Sequence, residues 1–247
     1  MLSEKRHIHL RPRLEAAAEM LKGCAVAADV GCDHGRLSCA LVQRGICRRV
    51  IASDISEASA KKAHELSRLC GLSDSIEVRI SSGLDLLKPG DVDGAVLAGM
   101  GGELIAELLK QNLPVAHALS RIVMQPMRGI EELRQFLRED GFHILCDRIV
   151  FDAGRYYQII SAAYKGRPEP VMRGFPDDVY FIGQKPFQTH EPLLEPFLKQ
   201  LDKNCRRRIA DAEAGGHVPD VLYEKLKKIN TLFKLLEENN REAEGLS

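Results

Sequence analysis

The stretch "ADVGCDHG", residues 28–35, decides the fold. The apolar run "CAVAADV" (24–30) stops at Gly31, and a helical pattern, "RLSCALVQRG" (36–45), follows within a few residues. A strand, a tight turn and a helix in that order form the first crossover of a parallel sheet. Ligands of such sheets sit beyond the carboxyl ends of the strands. A dinucleotide-binding loop would place a second glycine where this chain has Asp33, letting bare backbone approach a pyrophosphate. A carboxylate there repels phosphate and suits a cationic ligand.

The rhythm continues on both sides. "LEAAAEML" (14–21) reads as an alanine-rich helix ahead of the first strand. Strands are expected at "RRVIASD" (48–54), "SIEVRI" (75–80), "DGAVLAGM" (93–100) and "RIVMQP" (121–126). Helices are expected at "SEASAKKAHELSRLCG" (56–71), "GELIAELLK" (102–110) and "IEELRQFLRED" (130–140). This alternation implies right-handed crossovers and a mostly parallel sheet covered by helices on both faces, an α/β fold. "FHILCDRIVFD" and "RYYQIISAAY", joined by Ala153-Gly154, read as a hairpin that adds an antiparallel strand.

Beyond a Gly- and Pro-rich link the pattern changes. Leu194, Phe197, Leu198, Leu201, Cys205 and Ile209 recur at helical steps, and Leu222, Leu226, Ile229, Phe233 and Leu236 resume them after "AGGHVPD". Two amphipathic helices joined by a short loop make an antiparallel hairpin whose stripes are each other's core. The expected division is a ligand-binding domain at 1–165, a linker at 166–187 and the C-terminal hairpin at 188–247.

Composition is that of a globular protein, 45% hydrophobic and 28% charged, with a formal net charge of zero. No global basic field points to nucleic acid, although "NCRRR" (204–208) forms a local one. Seven cysteines include no C-x-x-C pair, so neither a zinc site nor a disulfide framework is expected. "MLSEKRHIHLRPRL" lacks the apolar core of a signal peptide or anchor, and reduced thiols fit a cytoplasmic location. No apolar run approaches the ~20 residues needed to cross a bilayer.

Asp54 ends the second strand at about the spacing from Gly31 expected of an acid that holds ribose hydroxyls. Both NAD and S-adenosylmethionine carry such a ribose; only the latter offers an ammonium and a sulfonium without phosphate. "ISSGLD" (80–85) follows the third strand, where an adenine would lie, and "LAGMGGE" (97–103) gathers glycines at the end of the fourth. Gln125 either reads a base edge or ties down its loop. His34 reads as a loop-ordering residue rather than a general base, and no partnered base accompanies Cys32.

In order, "DVGCDHGRL", "ASDI", "AGMGGELI", "QPM" followed by "LRQFL", and "GRYYQII" resemble the bacterial tRNA adenine-N1 methyltransferases that act on adenine 22, the TrmK family. The resemblance runs from about Arg13 to Ala163. It implies a class I methyltransferase (Rossmann-like) sheet of seven strands with the last antiparallel, and a coiled-coil-like C-terminal hairpin. It implies S-adenosylmethionine as cofactor and tRNA as substrate and partner, with no metal and no membrane. By motif, Asp29, Gly31, Asp33, His34 and Gly35 would line the methionine end, with Arg13 facing the cofactor carboxylate. Asp54 and Ile55 would hold the ribose, and Ser82, Gly83 and Leu84 would flank the adenine. Ala98, Gly99, Met100 and Gly101 would border the transfer site, where Asp33 is the one candidate catalytic acid. Gln125 and Pro126, with Arg206, Arg207 and Arg208 on the hairpin, are expected to touch the substrate. The chain departs from the family pattern at Gly35-Arg36 and at Ser82.

Overall fold

The structure, a computed structural model, describes residues 7–216 and 218–245. The first six residues of the charged N-terminal stretch and His217 of the "AGGHVPD" loop lie outside them. The chain divides into two compact units between Glu169 and Pro170.

In the first unit, β1 (Val26–Val30), β2 (Arg49–Asp54), β3 (Ile76–Ile80), β4 (Gly94–Met100), β5 (Arg121–Pro126), β6 (Phe142–Asp152) and β7 (Arg155–Tyr164) form one seven-stranded sheet. Their order is β3-β2-β1-β4-β5-β7-β6. Pairs from β3 to β5 are parallel, and β7 runs antiparallel to both its neighbours. The chain steps outward from β1 to β3 and then returns to lay β4 against β1. That reversal opens a crevice above the ends of β1 and β4.

The central strands are buried on both faces, and their side chains alternate between two cores. Ala27, Val50, Ala52, Val96 and Val123 join the helices α1 (Pro12–Met20), α2 (Arg36–Gln43) and α3 (Glu57–Leu69). Ala28, Ile51, Leu97, Ile122 and Met124 join α4 (Gly102–Gln111), α5 (Leu113–Ala118) and α6 (Ile130–Glu139) on the other side. This is the two-residue period of a strand, masked in the sequence because both faces are apolar. Ser56 caps α3 by accepting from the Ser59 amide at 3.3 Å, as its position before the helix predicts. The β6–β7 turn places Ala153 and Gly154 at φ +50° and +80°, as a two-residue hairpin turn requires. The one helix of this unit absent from the sequence reading is α5, six residues with proline in its first turn, too short to show a period.

The second unit contains α7 (Lys185–Gln188), α8 (Leu194–Ala214) and α9 (Asp220–Gly245). Helices α8 and α9 pack together, and the Cys205 thiol donates to the Leu222 carbonyl at 3.3 Å. On α8 the expected stripe is buried apart from the half-buried Leu201. On α9 the deepest residues are Ile229, Leu232 and Leu235, while Leu222, Leu226, Phe233 and Leu236 are only half-buried. The stripe is rotated because α9 also packs against the segment expected to be a linker. Lys225 lies 4.7 Å from the Phe181 ring centroid, Lys228 pairs with Asp178 at 2.6 Å, and Gly174 sits against Leu235. Val179, Phe181, Ile182 and Phe187 are buried within that segment.

Candidate active site

At the end of β1 the chain docks onto β2 before it turns. The Gly31 and Cys32 amides both donate to the Ser53 carbonyl, at 2.8 and 2.9 Å. Asp33 follows at φ +50°, a left-handed conformation that L residues other than Asn and Asp seldom adopt. Its amide donates to Asp54 Oδ2 at 3.0 Å, while Asp54 Oδ1 accepts from the Ser56 amide at 2.9 Å. Asp54 therefore ties the first loop to the start of α3. Each carboxylate oxygen keeps a lone pair for a ribose hydroxyl. Ile55 beside it is 76% exposed, an apolar surface next to the acid.

Asp29 is buried one turn beneath the loop. Its Oδ2 accepts from the Ser38 hydroxyl at 2.5 Å and the Ser38 amide at 3.1 Å, anchoring the first turn of α2. Burial pushes its carboxyl up to about 6, opposed by the Ser38 hydrogen bonds and reinforced by the nearby Asp54 charge. Burial also drives the Cys32 thiol far above its usual range, the reverse of what an activated nucleophile needs. Gly35, at φ +68°, serves packing: a Cβ there would meet the Ala63 Cβ at 2.9 Å.

Arg13, from α1, closes the other side. Its Nη1 donates to Gln125 Oε1 at 2.6 Å, its Nε lies 3.7 Å from Asp152, and its guanidinium stands 5.8 Å from the Tyr157 ring centroid. With Asp29, Asp33, Arg36 and Gly99 it lines a cleft of about 320 Å³ at the switch point. Gln125 and Pro126, expected to touch substrate, are buried; Gln125 has no exposed surface, and its amide is engaged by Arg13 and the Pro126 carbonyl. Of the two roles open to Gln125, tying down its surroundings is the one its burial permits.

The glycines of the β4–α4 loop divide. Gly99, at φ +81°, is exposed and faces Arg13, with 3.8 Å between a built Cβ and Nη1. Gly102 instead crosses the β5–α6 turn so closely that a Cβ would lie 1.9 Å from the Gly129 carbonyl oxygen. Met100 and Gly101 are half-buried, as is Ala98. On the adenine side, Ser82 is half-buried and the Leu84 side chain has no exposed surface. Only the backbone of Leu84 remains for a ligand, because its side chain belongs to the core beneath α4. Sequence reasoning did not single out Leu14, Arg36 and Leu37 as cleft-lining residues, nor Asp152 and Tyr157 as the partners of Arg13. "GRYYQII" was the available signal for Tyr157.

The hairpin arginines 206, 207 and 208 are all exposed. Arg206 is already held by Asp202 one turn earlier at 2.8 Å, and Lys199 by Glu195 at 2.6 Å. Among the described residues no group of three or more His, Cys, Asp or Glu side chains is placed to hold a metal ion. Nor is any helix long and apolar enough to cross a membrane.

A sheet of this order, with an acid-bearing loop at its switch point, defines the class I, S-adenosylmethionine-dependent methyltransferases. A family model described as a methyltransferase domain matches residues 10–160, and the chain belongs to that family. It is 30% identical over 155 residues to the tRNA (adenine(22)-N(1))-methyltransferase of Bacillus subtilis, covering 63% of this chain and 65% of that protein, slightly under two-thirds of its length. A Mycoplasma pneumoniae protein named "Putative tRNA methyltransferase" is 34% identical over 78% of this chain and 88% of its own. The crystal structure of a Streptococcus pneumoniae "putative tRNA (m1A22) methyltransferase" in complex with S-adenosyl-L-methionine superposes with a TM-score of 0.76 at 28% identity, covering 91% of this chain and 98% of that one.

Proposed function

We propose that this chain is a tRNA methyltransferase that uses S-adenosylmethionine to methylate N1 of adenine 22. The carrying observation is the cleft at the switch point, with Asp33 in the place of a phosphate-loop glycine and Asp29 and Asp54 behind it. Those acids suit a ligand with an ammonium and a sulfonium, and the relatives supply the acceptor.

When bound, the sulfonium supplies a methyl group directly to a nucleophile, so the protein's task is in-line alignment rather than covalent help. Asp54 and Ile55 hold the ribose, and the backbone at Ser82–Leu84 flanks the adenine. Asp29, Gly31, Asp33, His34 and the backbone of Gly35 line the methionine end. Arg13, oriented by Gln125 and Asp152, meets the cofactor carboxylate. Ala98, Gly99, Met100 and Gly101 border the point of transfer, where Gly99 leaves room for the acceptor base. Transfer of that methyl group to adenine N1 would give a cationic 1-methyladenine. Asp33, exposed at the cleft mouth, is the acid available to that charge. An adenine paired through N1 must first leave its helix.

The first unit thus acts as the methyltransferase domain, and the hairpin grips tRNA phosphates through Arg206, Arg207 and Arg208. Incubation with labelled S-adenosylmethionine and bulk tRNA, followed by nucleoside analysis, should yield 1-methyladenosine. Label in another nucleoside, or none in RNA, would overturn the reading.

A further inference from the structure

A second groove opens beside the cofactor cleft, between α2 and α3, and shares His34 and Arg36 with it. Lys62, Glu65, Leu66 and Leu69 complete its walls. The groove exists because Gly35 lets the first turn of α2 press against Ala63, bringing residues 34, 36 and 62 to one depression.

Several exposed cations of the first unit stand against carboxylates, Lys22 with Glu19, Arg44 with Glu15 and Arg49 with Glu77. Among the described residues neither Lys62 nor Arg36 is in ion-pair contact with an acid. Lys62 Nζ instead lies 3.2 Å from His34 Nε2, and Arg36 spends one guanidinium N–H on the His9 carbonyl at 2.8 Å, keeping others free. Asp33 stands 3.5 Å from the His34 ring, and Glu65 is the acid on the groove wall. Leu66 and the 51% exposed Leu69 add apolar surface to the same depression.

Unpaired cations converging over an apolar surface fit a phosphodiester with its sugar. We propose that this groove holds a backbone phosphate of the tRNA beside the methyl-transfer cleft, a step that rests on the tRNA function proposed above. The cofactor's own carboxylate is a poorer occupant, because Lys62 does not line the cofactor cleft and Arg13 does. A phosphate held here fixes the strand next to the reacting base, a second grip independent of the hairpin arginines.

The test compares wild type with Lys62→Ala and Lys62→Glu, using bulk tRNA in filter binding over a salt series and S-adenosylmethionine in calorimetry. Losing one phosphate contact should make the slope of log affinity against log salt shallower by about 0.7–0.9. The Glu variant should weaken tRNA binding further, and cofactor affinity should be unchanged in both. Slopes equal to wild type, or a matching loss of cofactor binding in Lys62→Ala, would overturn the groove assignment. If wild type methylates tRNA while the Lys62 variants match its slope, only the groove is refuted. If wild type neither binds nor methylates tRNA, the substrate is wrong and the groove assignment falls with it.

Discussion

The β1–α2 and β4–α4 loops end adjacent strands and are both rich in glycine, yet glycine does different work in each. In the first, Gly31, Asp33 and Gly35 all have positive φ, and the loop's amides are tied to the end of β2 and to Asp54. Its conformation is held from outside and presents an acid to the cleft. In the second, Gly99 faces the cleft while Gly102 lets two backbone turns cross. A cluster of glycines at a strand end is therefore no measure of ligand approach. What a Cβ would meet at each position separates the two causes.

The sharpest way to break that contrast is Gly102→Ala. Its methyl would sit 1.9 Å from a carbonyl oxygen that belongs to backbone and has little room to yield. We expect a loss of stability above about 3 kcal/mol in denaturant melts, at the upper end of overpacking costs. Gly99→Ala should cost only about 1–2 kcal/mol, from its positive φ. Equal losses would mean the crossing is not rigid.

Asp54→Ala tests the other loop. It removes the tie to Asp33 together with the proposed ribose contact, and S-adenosylmethionine affinity by calorimetry should fall by roughly 1.5–3 kcal/mol. Unchanged affinity would move the ribose elsewhere.

Asp29 gives a pH test of intermediate size. Because burial raises its folded carboxyl to about 6 from an ordinary value of 3.8, the folded protein holds this proton where the unfolded chain has released it. Its contribution to stability is thus greatest below the lower value and declines as pH rises through the interval. A cationic cofactor favours the ionised form, so affinity should drop as pH falls below about 6, by at most about tenfold per pH unit. Asp29→Asn should flatten that dependence, and a profile equally steep in the variant would assign it to another group.

The smallest effect is expected from Asp33→Gly. Relief of the left-handed backbone should stabilise the fold by about 1 kcal/mol, with melting temperature as the measure. Cofactor affinity should fall in the same variant. A gain in both would mean that the carboxylate plays no part in binding.

The strands were legible because they are short apolar runs closed by glycine, proline or an acid, and the site loops because those closures fall at strand ends. Lateral packing was not legible. Nothing in "QPM" says that Gln125 is sealed beneath Arg13, since the two lie 112 residues apart in sequence. Leu84 likewise reads as part of an adenine loop, while its side chain serves the core. The rotation of the α9 stripe toward Leu232 and Leu235 depends on residues 170–187 packing against it, which helical periodicity cannot register.

The β6–β7 hairpin has a consequence for the order of assembly. Its strands are adjacent in sequence and joined by a two-residue turn, whereas Ala28 of β1 must find Ala95 of β4 across the whole first half of the sheet. Hairpins of this kind form in roughly 1–10 μs, long before distant parallel strands can pair. The hairpin is also the last part of the sheet to be synthesised, and until β7 docks, β5 is an open edge flanked by the apolar side chains of Ile122, Val123 and Met124. That edge is a template for a second nascent chain. Gly154→Ala, strained at φ +80°, should therefore slow refolding in stopped-flow traces and increase light scattering as the concentration is raised. Refolding that is slower yet leaves scattering unchanged at every concentration would show that the β5 edge is protected before its partner arrives.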